Sequence, residues 1–255
     1  MGPKVVLGVL ACLCGVASAA DRLPIEPGNF NSVLPSGSTV QAVHVDHFLI
    51  DRRPVTNIEY LAFVTAHPQW RRDQIPKLFA DGDYLSQWAG ADQLGPSAQA
   101  DQPVTRVSWF AARAYCEAAG GRLPSWYEWE RAAAADERQP DARENAQWQS
   151  RILDWYAQPA SRPLARVGSG PANYFGIQDL HGLIWEWVDD FNALIVSGDS
   201  RDQGDPDKLK FCGAGALSLK DRENYAILMR IAFLSSLEAR STAHSLGFRC
   251  AAGMS

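Results

Sequence analysis

The chain has 255 residues, 24 Lys and Arg against 29 Asp and Glu, and a net charge of -5, with 46% apolar and 10% aromatic residues. No basic block interrupts this acidic balance, which argues against nucleic acid and against an anionic membrane surface as partners. The apolar content suffices for one large core, so a single domain is expected.

The N-terminus reads as an export signal. Lys4 supplies a positive charge, Val5 to Val16 is almost wholly apolar, and Ala17-Ser18-Ala19 offers the small residues of a cleavage site. About a dozen apolar residues are too few to cross a bilayer, so 1–19 is expected to be a signal peptide and 20–255 the mature domain. The product would be periplasmic or secreted, with no membrane insertion once the signal is removed. Cys12 and Cys14 leave with it. Cys116, Cys212 and Cys250 remain, and in an oxidising compartment the simplest arithmetic is one disulfide and one free thiol.

From Val43 to Ile50 apolar and polar residues alternate, the period of a half-buried strand. His44 and His47 lie three apart in it and point to opposite faces, a poor arrangement for a shared metal. Thr56 or Asn57 caps a helix through "NIEYLAFVTAHP", stopped at Pro68. From Gln69 to Gln102 the pattern fades into a long loop, pinned by rings such as Trp70, Phe79, Tyr84 and Trp88. Ser108 caps the next helix, whose apolar face includes Trp109, Ala112, Cys116 and Ala119. Gly120-Gly121 ends it, and Ser125 with Glu128 forms a capping box for the one after. Cys116 sits on a buried face, a place for core packing or a disulfide. Residues 138–166 are polar and read as loop.

In "GIQDLHGLIWEWVDDF", 176–191, Trp185 and Trp187 flank Glu186, so a strand would bury both indoles on one face and point the carboxylate to the other. After it come a surface excursion, "VSGDSRDQGDPD", then "KLKFCGAGALS" as a strand with a glycine-rich end and "SLGFRCAA" as a final strand.

Four phrases, "FLIDRRPVTNIEYLAFV", "PVTRVSWFAARAYCEAAGGRLPSWYEWERAA", "NYFGIQDLHGLIWEWVDDF" and "LGFRCAA", resemble in order and spacing the formylglycine-generating enzyme family, also called the sulfatase-modifying-factor family. The resemblance covers nearly all of the chain after residue 40. It implies an α+β fold: a single complex C-type-lectin-like domain with little regular secondary structure. It also implies a calcium site at the W-E-W phrase, with carbonyl oxygens from His181, Gly182 and Ile184 and the carboxylate of Glu186. Calcium takes several hard oxygen ligands, and an irregular loop can supply them. The alternative at this position is that Glu186 accepts N–H bonds in a buried turn. The same resemblance pairs Cys116 with Cys250 and leaves Cys212 single.

Relatives that convert a cysteine to formylglycine bind copper through two cysteines five residues apart. By position those places are held here by Ala226 and Ile231, with Arg230 kept between them. Copper(I) needs soft thiolates, so copper is not expected. The variant phrase "FCGAG" resembles proteins encoded beside nitrite reductase among denitrification genes, which implies a maturation or accessory factor whose partner is an exported redox enzyme or peptide. Two other readings stand beside it. One is an oxidase of a different substrate, as in the family's pyoverdine-maturation branch. Its pocket would draw on Tyr225, Glu238 and Arg240, with Cys212, Arg230 and His244 as catalytic candidates. The other is a non-catalytic binding module.

Overall fold

Four short strands open the fold in a computed structural model that describes residues 21–34, 42–159, 162–194 and 225–253, with side chains from residue 227 onward in the last stretch. They are β1 (Arg22–Ile25), β2 (Gly28–Phe30), β3 (Val43–Val45) and β4 (Phe48–Asp51). The alternating segment from Val43 is thus two strands rather than one, broken at Asp46-His47. β3 pairs antiparallel with β2, while β4 is the middle of a three-stranded antiparallel sheet between β1 and β7 (Ala251–Gly253). Phe48 and Ile50 of β4 point into the core, and their neighbours in the strand are only half-buried, as the two-residue period requires.

The helices begin where local chemistry satisfies their free N–H groups. Thr56 caps α1 (Asn57–Ala66) in a full capping box with Glu59, and Arg53 holds that glutamate with two nitrogens at 2.9 and 3.0 Å. Ser108 caps α2 (Trp109–Ala118), and Ser125 with Glu128 caps α3 (Trp126–Ala133). Gly121 follows α2 because a Cβ there would come within 2.5 Å of the Ala251 carbonyl oxygen. The long stretch from 69 to 102 has little regular structure apart from a 3₁₀ turn at Pro68–Trp70. Its buried rings hold it: Tyr84 donates its hydroxyl to the Trp70 carbonyl at 2.8 Å, and the Trp88 indole donates to Asn57 at 3.0 Å.

Two helices depart from the sequence reading. Within 138–166, read as loop, α4 spans Ala146–Tyr156. Asn145 caps it by accepting the N–H groups of Gln147 and Trp148, and Trp148 and Ile152 are buried on one face. α5 covers Tyr225–Ser235 in a segment not assigned to any element. The final "SLGFRCAA" strand is also two: β6 (Leu246–Gly247) and β7.

A disulfide joins Cys116, on the buried face of α2, to Cys250, immediately before β7. β5 (Trp185–Glu186) lies parallel to β6, with Glu186 opposite Gly247. Gly247 is required there, because a Cβ would sit 2.2 Å from the Val104 carbonyl oxygen. The β5–β6 pairing sets the W-E-W phrase beside the G-F-R phrase and positions the site.

Candidate functional site

β5 delivers Glu186 into the interior, and the turn after β6 delivers Arg249 to meet it. Neither side chain has any solvent exposure. Arg249 donates from two nitrogens to the two carboxylate oxygens, at 2.8 and 2.9 Å, and the Trp129 indole of α3 donates to one of them at 2.9 Å. The remaining donor capacity of Arg249 goes to the carbonyls of Asp51, Arg52 and Gln178 at 2.9–3.2 Å. One guanidinium thus ties the end of β4, the 178 loop and β5 together.

Arg230, on α5, is buried above the same centre. It donates to the Glu186 carbonyl, and its guanidinium carbon lies 3.5 Å from the centroid of the Trp129 ring, a cation–π contact. Burial pushes it down to about 10, and among the described residues its Nε has no hydrogen-bond partner.

His181 packs against the Trp129 ring. Its Nε2 lies 2.9 Å from the Ala133 carbonyl, which can only accept, so the proton is on Nε2 and Nδ1 keeps a lone pair. The indoles of Trp129 and Trp148 meet the ring edge to face. Burial, helped by the nearby Arg230 charge, pushes His181 down to about 4, so the imidazole is neutral at ordinary pH. It lines a cavity of about 150 Å³ between α4 and the 170–182 loop, with Trp155, Asp136 and Asp179 also in the wall.

The expected calcium ligands already have other partners in this structure. Both oxygens of Glu186 are engaged by Arg249 and Trp129, and the Gly182 carbonyl accepts from Arg162 at 2.9 Å. In this arrangement His181, Gly182, Ile184 and Glu186 do not fit a calcium ion, because arginine nitrogens supply positive charge at two of the four proposed ligands. Glu186 is a structural acceptor whose donors are side chains rather than backbone N–H groups. Positions 226 and 231 offer copper no ligand either. Ala226 and Ile231 carry no donor atoms, and Ile231 packs into the core on α5.

Among the described residues the oxidase candidates are not brought together. Arg230 is buried at the Glu186 centre, whereas His244 is exposed and Arg240 pairs with Glu238 on the surface at 2.7 Å. Cys212 and the side chain of Tyr225 lie outside the described residues. Sequence reasoning missed Arg249 and Trp129 as the partners of Glu186. The available signal was the buried carboxylate itself, which demands a nearby cation.

Among known proteins, the chain is similar to the hercynine oxygenase of Mycobacterium tuberculosis, 32% identical over 179 residues that make up 64% of this chain. It spans only 41% of that protein's length. It is 30% identical over 257 aligned positions to the formylglycine-generating enzyme of Streptomyces coelicolor, covering 83% of this chain and 80% of the relative. The solved structure of PvdO from Pseudomonas aeruginosa superposes with a TM-score of 0.46 at 19% identity, covering 91% of this chain and 94% of that one. The sulfatase-modifying factor enzyme 1-like domain matches residues 15–254, and the chain belongs to that family.

Proposed function

We propose that this protein is an exported maturation or accessory factor, a C-type-lectin-like variant of the family domain. It would engage a peptide or protein partner of an exported redox enzyme, with nitrite reductase as the leading candidate, and would not make formylglycine by copper chemistry. The observation that supports this is Ile231. At a position where copper-bearing relatives carry a thiolate, this aliphatic side chain is only 8% exposed and belongs to the core. The arginine before it is committed to the Glu186 carbonyl and the Trp129 face. The scaffold is kept while the thiolate pair is gone.

The test has two parts. Protein supplied with copper(I), oxygen and a sulfatase-type cysteine peptide should yield no aldehyde by mass spectrometry, and turnover at a relative's rate would overturn the reading. Deleting the gene should lower exported nitrite reductase activity, and a normal level would count against the accessory role. A second reading, an oxidase of another substrate as in pyoverdine maturation, rests on the exposed His244. Oxygen uptake that disappears in His244→Gln would favour it.

A further inference from the structure

A second cavity, of about 330 Å³, opens away from the Glu186 centre and is lined by Phe30 and Asn31 of the β2 edge, Arg131 of α3, and Pro140, Asp141 and Phe175. Its two charged lining residues differ in kind. Asp141 is already matched, taking two nitrogens of Arg143 at 2.6 and 2.9 Å. Arg131 is not. Among the described residues its one side-chain hydrogen bond is to the Glu26 carbonyl at 2.7 Å, and its buried Nε has no partner. Burial lowers its proton affinity. The guanidinium lies directly over Gly28, where a Cβ would meet both terminal nitrogens at 2.8 Å, so the strand backbone leaves room for it.

We propose that this cavity binds a small organic carboxylate, whose oxygens take the planar guanidinium of Arg131 while Phe30, Phe175 and Pro140 hold its apolar body. A guanidinium matches a carboxylate with parallel N–H donors, and an anion supplies a counter-charge that no described residue gives Arg131. The volume accommodates an aryl or short aliphatic acid, and the phenyl rings favour the first. This assignment is independent of the accessory role and of the family's chemistry.

Phenylacetate is the probe, and phenylacetamide its neutral isostere, each titrated calorimetrically into the mature protein. Saturable binding of phenylacetate, about tenfold or more tighter than the amide, is expected, since a charge-assisted pair is lost in the amide. Arg131→Gln should weaken phenylacetate by a similar factor while leaving the far-ultraviolet circular dichroism unchanged. If that variant does not fold, the comparison of acid with amide on the unaltered protein decides. N-acetyl-Gly-Phe with a free C-terminus, set against its C-terminal amide, distinguishes a peptide terminus from a free metabolite as the source of the carboxylate. Absence of phenylacetate binding at 10 mM would overturn the proposal, as would equal binding of acid and amide, or affinity unchanged in folded Arg131→Gln.

Discussion

Glu186 and Arg249 form a two-pronged ion pair with no exposure on either side, 63 residues apart in sequence and joined by the parallel β5–β6 contact. A buried pair of this kind is costly to break from one side, because the surviving charge is left without a partner in a medium that solvates it poorly.

Replacing Glu186 with Gln should therefore lower stability by about 3–5 kcal/mol, read as a drop in the denaturation midpoint. Arg249→Met should cost a similar amount, and the double variant should cost less than the two added together, since neither change leaves a lone charge in that background. The same geometry predicts that EDTA leaves the melting temperature of the unaltered protein where it was. A chelator-sensitive melt abolished by Glu186→Gln would restore the calcium site.

His181 gives the fold an acid sensitivity. Folded, its proton affinity is pushed down to about 4 from an ordinary value of 6.5, so the unfolded chain binds the proton first. Stability is therefore complete above about pH 6.5 and is lost as the pH falls through 4. The sign follows from the unfolded state holding more protons in that window. The full loss from this group is about 3 kcal/mol. His181→Gln keeps an N–H donor for the Ala133 carbonyl and removes the titration, so its stability between pH 6.5 and 4 should be flatter than that of the unaltered protein.

The parts legible in the sequence were those set by near neighbours. Ser108, Ser125 and Glu128 act within three residues of the N–H groups they satisfy, and the structure caps α2 and α3 with them. α4 escaped notice although Asn145, Trp148, Ile152 and Trp155 carry its cap and apolar spacing, because the intervening residues are polar and the segment borders loops on both sides. The Glu186 centre was legible only by half. A carboxylate between two tryptophans announces burial, but whether a metal or an arginine answers it depends on β5 and β6 meeting at Gly247. No local pattern encodes that meeting. Arg131 was invisible for the same reason, since tertiary packing decides which groups stand near a cation.

The Cys116–Cys250 bridge spans 134 residues, most of the folded chain. In the loop-entropy account a closure of that length removes about 5 kcal/mol of unfolded-state freedom. Cys116→Ser with Cys250→Ser should lower stability by several kcal/mol, and peptide mapping without reductant should recover the two cysteines in one linked pair. A pair that included Cys212 would contradict the structure.

Copper can be tested by trying to give it back. Positions 226 and 231 both fall within α5, which runs as one helix from Tyr225 to Ser235. Five residues of regular helix separate their Cα atoms by about 7.5 Å along the axis. Two thiolates bound to one copper(I) need to converge on a common point, which that spacing opposes. Ile231 also faces the core, so a thiol there would replace packing and leave a small void. The double variant Ala226→Cys/Ile231→Cys should therefore bind copper(I) no more tightly than either single variant, as measured by competition with a chromogenic copper(I) chelator, and should make no aldehyde on a cysteine peptide. Cooperative binding in the double variant would mean that α5 unwinds around the metal. In that case the lack of a thiolate pair at these positions would rest on two side chains alone, and not on the helix that now carries them.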